Sequence, residues 1–272
     1  MTDDTTSTQM SPSRVDEPSP PPRRRIVLWT ALAVAVVVVL GGFALWWFFI
    51  RSDAPEAVNL EQATQGVQAP TTAAGGQATA TTAAGAAAAG PVSGTWKVNP
   101  TITNAEGTSS FGGFRVNEVL VGVGAGTATG RSTAVEGTVT VDGSRVTAAQ
   151  ISVDLTSIRS NEGRRNNAIQ QALQTSRFPK ATFTLTQPIS AGSVPAEGQK
   201  ITVKATGDLT IKGVTKPATI DIDATLQNGV LVLVGSAPVA FADFGITAPT
   251  APVVASVEDR GVMEFQLYLT KA

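Results

Sequence analysis

From Gly94 onward the chain alternates apolar and polar residues with period two, the pattern of strands that bury one face and wet the other. Val135, Gly137, Val139 and Val141 share a face while Glu136, Thr138 and Thr140 take the other, and Asp142-Gly143 then turns the chain. Ile151, Val153 and Leu155 oppose Ser152 and Asp154; Phe183 and Leu185 oppose Thr182, Thr184 and Thr186. Ile201, Val203, Ala205, Leu209 and Ile211 stand against Thr202, Lys204, Thr206, Asp208 and Thr210. After a turn at Lys212-Gly213, Ile220, Ile222, Ala224 and Leu226 oppose Asp221, Asp223 and Thr225. Asn228-Gly229 is a strong hairpin signal before the next strand, Val230 to Ala242. A last strand from Val262 to Thr270 puts Met263, Phe265, Leu267 and Leu269 on one face. With Thr95 to Val98 and Phe111 to Glu118 the total is about eight or nine strands, mostly antiparallel because their connections are short. One helix interrupts them near Asn161 to Leu173, where Ala168, Ile169, Ala172 and Leu173 recur at helical spacing. A sandwich or a barrel satisfies this pattern; a barrel capped at one mouth is preferred, because closure removes the edges of long strands.

Ahead of that region the polarity pattern changes twice. Ile26 to Ile50 carries no charge and only Thr30, Gly41 and Gly42 interrupt its apolar run. As a helix it would reach roughly 37 Å, enough to cross a hydrocarbon core of about 30 Å, so it predicts a single transmembrane helix. Arg23, Arg24 and Arg25 precede it and Arg51 alone follows closely, which predicts a cytoplasmic N-terminus and an extracytoplasmic remainder at the cell membrane. A cleaved signal peptide is the alternative; its apolar region is usually about 7 to 15 residues and ends at small residues, whereas this run ends in Trp46-Trp47-Phe48-Phe49-Ile50. Residues 1–25, rich in Ser, Thr and Pro, read as a disordered cytoplasmic tail. Residues 51–93, rich in Ala, Thr and Gly, read as a linker. A coil of that length reaches roughly 35 to 40 Å, so the linker would let a domain at 94–272 stand off the bilayer.

Composition narrows the chemistry. The 272 residues carry a net charge of −1 and contain no Cys and no His. Disulfides, thiolate metal sites and thiol nucleophiles are therefore excluded, as are the usual base of Ser hydrolases and the commonest transition-metal ligand. Asp and Glu remain, without an arrangement that marks a site. No catalytic residue, cofactor or metal is expected, and the balanced charge points to no nucleic-acid partner.

Four stretches carry a family likeness: Gly94-Thr95-Trp96-Lys97-Val98; Ser176-Arg177-Phe178-Pro179-Lys180-Ala181-Thr182-Phe183; Gly207-Asp208-Leu209-Thr210-Ile211-Lys212-Gly213-Val214-Thr215-Lys216-Pro217; and Asp243-Phe244-Gly245-Ile246. In order and spacing they resemble the YceI-like family of exported bacterial proteins. That resemblance implies a mainly β, extended antiparallel lipocalin-like barrel of about eight strands with one capping helix. It also implies a binding protein, not an enzyme, that holds a long amphiphilic lipid, typically a polyisoprenoid, in its interior. The chain departs from its relatives in lacking His altogether, with Lys212 before the Gly-Val-Thr-Lys turn, and in placing Phe241 where relatives often have Arg.

Aromatic residues and the small Gly137, Ala205, Gly207 and Ala224 on these faces have two readings, plain core or the lining of a cavity with volume left unfilled. The resemblance implies the cavity, lined by Trp96, Phe111, Phe114, Phe183, Leu209, Ile211, Phe241, Phe244 and Phe265. Two rivals stand beside it: an envelope interaction module with a filled barrel, and an enzyme acting on lipid-linked sugars through two converging carboxylates. Gly124-x-Gly126-x-x-x-Gly130 misses the dinucleotide-binding spacing and reads as a glycine-rich loop. Asp208, Asp221 and Asp223 read as a solvated strand face, and Arg164-Arg165 as a solvated pair or a contact for an anionic head group.

Overall fold

The computed structural model describes residues 35–41, 54–68, 92–249 and 251–272. The expected tail at 1–25 lies outside the described residues, as do 51–53 and 69–91 of the expected linker. Of the expected span at 26–50 only 35–41 are described, and these are helical with exposed side chains. Among the described residues no helix is long and apolar enough to cross a membrane. Ser52–Ala272 form one compact unit.

Two turns set the longest hairpins of that unit. Lys212-Gly213 and Asn228-Gly229 both adopt left-handed backbone at each residue, with φ of 53° and 74° and of 51° and 74°. Two successive positive φ values twist a two-residue loop in the same sense as the strands it joins. The strands are β1 (Gly94–Val98), β2 (Phe111–Leu120), β3 (Gly124–Ser132), β4 (Val135–Asp142), β5 (Arg145–Asp154), β6 (Arg159–Ser160) and β7 (Lys180–Leu185). They continue with β8 (Ile189–Ser190), β9 (Ile201–Ile211), β10 (Val214–Gln227), β11 (Val230–Ala240), β12 (Val254–Val257) and β13 (Arg260–Lys271). Eight of them close an antiparallel ring in the order β1-β4-β5-β7-β9-β10-β11-β13 and back to β1, so the fold is the expected barrel.

The ring holds at one end only. β13 pairs with β1 through Leu269–Lys271, but through Val262–Gln266 it pairs with β2 instead. There β2 and β3 form a hairpin whose far edge meets only the two residues of β6, while β12 pairs with β2 near the hairpin tip. The expected helix fills this interrupted side as a 3-10 turn over Gly163–Arg165 followed by α2 (Asn166–Leu173). Gln170 Nε2 donates to the carbonyls of Leu155 and Thr156 at 3.1 and 3.0 Å, which ties the helix to the end of β5. Register puts the alternating sets where the sequence predicts: Val139, Ile151, Phe183, Leu209, Ile220 and Leu267 face inward, and Asp208, Asp221 and Asp223 stand on the outer wall.

One outer panel breaks the rule. Along β11 and β13 the outward residues Val230, Val232, Val234 and Tyr268 are as apolar as the inward ones, and Val230, Val232 and Tyr268 are 0% exposed. Residues 54–68, which composition assigns to a linker, cover them as a strap. Within the strap α1 (Leu60–Thr64) is capped by Asn59, whose Oδ1 accepts from Gln62 N at 2.7 Å, and buries Leu60 and Ala63 against the panel. Tyr268 Oη donates to the Ala63 carbonyl at 2.9 Å, and Asn228 Nδ2 to that of Val67 at 2.9 Å. At the other end of the strap Arg115 donates to the Pro55 carbonyl and Arg131 Nη2 to that of Glu56 at 2.8 Å. The domain therefore begins before residue 94: the strap shares its hydrophobic contacts, and a composition rich in Ala and Gln gave no sign of the panel waiting for it.

Candidate functional site

Inward apolar side chains in a closed eight-stranded ring either meet and fill it or leave a lumen. Here they do not merge. Trp96, Val98, Val139, Val141, Leu267 and Leu269 form one buried island at the β1 end. Ala205, Ile220 and Ala237 form a second, and Leu209, Val239 and Phe244 a third at the opposite mouth. The islands communicate only through Phe183, Met263 and Phe265, all inward and only half-buried. Ile151, Val153, Leu185, Ile222 and Leu233 are inward and half-buried too. A domain of this size ordinarily packs one contiguous core. In this barrel the outer panel under the strap is sealed more tightly than the interior.

The interior is blind at one end. Trp96 is 1% exposed and its Nε1 donates to the Val92 carbonyl at 2.8 Å, which satisfies the indole and fixes the ring across the β1 end. Accessible apolar surface thus lies between that plug and the helix-capped mouth. The small residues expected to leave volume there do so only in part. A Cβ on Gly207 would come within 2.5 Å of the Phe183 ring, and one on Gly137 within 2.7 Å of Ile151 Cδ1, so larger neighbours already occupy the space over both glycines. The unfilled room lies beside Phe183 and Ile151 rather than over the glycines.

Of the expected lining residues, Phe183, Leu209, Ile211 and Phe265 face the lumen, and Trp96 closes its end. Phe244 packs at the open mouth, and Phe241 leans on Gly261 at the rim beside Val116. Phe114 faces inward on β2 but lies flat over Gly130 of β3, away from the ring proper. Phe111 is the exception. It pairs with Gln266 on the outer face, beneath the Arg131 guanidinium at 4.2 Å from its ring centre, and lines no cavity. Its neighbours Gly112 and Phe114 hold the inward positions, so a one-residue parity error in reading β2 moved it to the wrong side.

A polar feature at the mouth was missed. Glu118 has the same parity as Phe114 and Val116, so alternation alone aims its carboxylate inward near the hairpin tip. It is 5% exposed and ion-paired with Arg165, which the 3-10 turn before α2 presents to it. Asn161 Oδ1 accepts from Thr129 N at 3.1 Å and fixes the chain that carries Arg165 to β3. The pair joins the cap to the hairpin with charges matched. Arg164 of the expected basic pair is solvated, with 82% of its side chain exposed.

On the outer face Glu264, 1% exposed, receives Arg131 Nε and Nη2 at 2.9 and 2.7 Å, with Arg115 Nε 3.8 Å from its other oxygen. This cluster serves the strap, since both arginines also hold strap carbonyls.

A family profile described as the YceI-like domain matches residues 96–269. Protein YceI of Escherichia coli O157:H7 is 33% identical over 120 residues, 43% of this chain and 56% of that protein, so the match spans about half the length of the curated relative. Among solved structures, a polyisoprenoid binding domain from Saccharophagus degradans superposes with a TM-score of 0.47 at 17% identity, covering 60% of this chain and 94% of that one. BcnA of Burkholderia cenocepacia gives a TM-score of 0.44 at 21% identity, covering 58% and 95%.

Proposed function

Since the chain belongs to the YceI-like family, we propose that its barrel is a binding protein for a long apolar or amphiphilic lipid, of the polyisoprenoid class that family likeness implies. The observation that carries this reading is the divided interior: inward apolar residues from β5, β7, β11 and β13 stay half-buried between a Trp96 plug and an open mouth. Burying hydrocarbon there gains about 0.8 kcal/mol per CH₂ without directional contacts, so the site needs no polar residue along its length. Polar groups are required only at the mouth, where Glu118 and Arg165 stand.

The same proposal includes the setting. The apolar run Ile26 to Ile50 anchors the protein in the cell membrane as a single span, with residues 1–25 in the cytoplasm and the barrel outside. The arginines before the run and the single Arg51 after it support this orientation.

The test is native mass spectrometry with lipid extraction on the full chain purified from membranes in mild detergent. A bound species of defined mass is expected, and Ile151→Trp, which fills the half-buried side of the lumen, should abolish it while the protein stays folded. A chain that is empty as purified, and remains so when challenged with polyprenyl lipids, would leave the barrel as an interaction module.

A further inference from the structure

Large apolar side chains exposed on the barrel are few and gathered. Among the described residues from 54 onward, Val119, Val121, Val123, Val253, Val262 and Val194 are at least 40% exposed. Four of the six share one place. Val119, Val121 and Val123 form the tip of the β2–β3 hairpin, and Val121 N donates to the Val253 carbonyl at 2.9 Å, which binds the fourth to the same knuckle. Val121 and Val253, at 60% and 66%, are the most exposed. Valines on a turn tip gain nothing from water, so a contiguous cluster of them marks a contact surface.

The strap indicates what covers it. Its direction is fixed by its bonds: Pro55 and Glu56 lie against Arg115 and Arg131 on β2 and β3, and Val67 lies against Asn228 at the far end of the barrel. The chain therefore comes onto the barrel on the same two strands that end in the valine knuckle. Upstream of Ala54 only residues 51–53 separate the strap from the apolar run ending at Ile50. Whatever conformation they take, the four steps from Ile50 to Ala54 span at most roughly 14 Å. Along β2 the rise from Arg115 to the tip at Val121 is roughly 20 Å. The hairpin is thus longer than the leash beside it.

We infer that the Val119, Val121, Val123 and Val253 knuckle seats in the head-group and upper acyl region of the lipid bilayer, with the barrel mouth turned to the membrane. This rests on the proposed membrane anchoring, and it deepens the lipid-binding reading: the opening between α2 and the β2–β3 hairpin then faces the phase in which an apolar ligand dissolves, and ligand passes without crossing water. It also removes the stand-off that the long Ala- and Thr-rich stretch suggests, because that stretch joins the strap to β1 and does not lie between bilayer and barrel.

A chain without cysteine allows one label per molecule. Val121→Cys, Val253→Cys and, as a control on a loop remote from the tip, Val194→Cys are each coupled to a polarity-sensitive fluorophore in the full chain. The labelled proteins are reconstituted in vesicles of phosphatidylcholine and phosphatidylglycerol, with or without lipids bearing a nitroxide near the head group. Flotation with the vesicles, a blue-shifted emission and nitroxide quenching at positions 121 and 253, and neither optical change at 194, are expected. If the protein floats while the tip labels are not quenched, the seating is overturned and the anchor stands. A blue shift without quenching would assign the valines to a protein contact and overturn it equally. If the protein does not float, anchoring and seating fall together.

Discussion

Tyr268 shows how one residue decides where a segment goes. Its ring is 0% exposed, its hydroxyl accepts from Gln266 Nε2 and donates to the Ala63 carbonyl, both at 2.9 Å, and burial pushes its ionisation well above the ordinary phenol range. Tyr268→Phe keeps the packing and removes the donor, so it should cost about 1 to 2 kcal/mol in urea unfolding, with faster proteolysis within 54–68. Asp154 is a second decisive side chain. Its Oδ1 accepts from Thr156 Oγ1 at 2.7 Å and Thr156 N at 2.8 Å, bonds that hold its carboxyl below the usual range and start the turn leading to the cap. A depressed folded-state value stabilises above the unfolded value and is lost as pH falls through it. The urea midpoint of the protein should therefore drop on acidification below about pH 4, and drop less in Asp154→Asn. At this scale the sequence was readable wherever parity was certain, as at Phe183, Leu209 and Phe265. It misled at Phe111, where two glycines follow and either face looks apolar.

At the scale of elements, alternation predicts every strand of the ring, and the positive φ values at Lys212-Gly213 and Asn228-Gly229 confirm its two clearest turns. The strap was illegible for a physical reason. Its five-residue helix has weak periodicity, and its partner, the doubly apolar β11, lies far downstream in the chain. The signal was present in β11 instead: Val230, Val232 and Val234 alternate with Leu231 and Leu233, and a strand apolar on both faces must be covered on both. Chains starting at residue 54 and at residue 92 should accordingly differ sharply. The shorter one exposes Val230, Val232, Val234 and Tyr268, and is expected to aggregate and to melt at lower temperature in calorimetry.

For the molecule as a whole, what folds the barrel and what leaves it usable are separate sets of contacts. Ring closure, the Trp96 plug and the strap confer stability from the ends and the outside, which allows the interior islands to stay apart. The strap also changes what a cut would do. An engineered protease site between Gly76 and Gln77 should yield two polypeptides that still elute together, and the barrel should remain with the membrane fraction until denaturant is added. Release would then require two independent events, scission of the peptide backbone and peeling of residues 54–68 from their groove, and only the first can be performed by a protease. The chain thus behaves as a socket that carries its own detachable plug, and the rate at which a severed barrel escapes measures the grip of that plug alone.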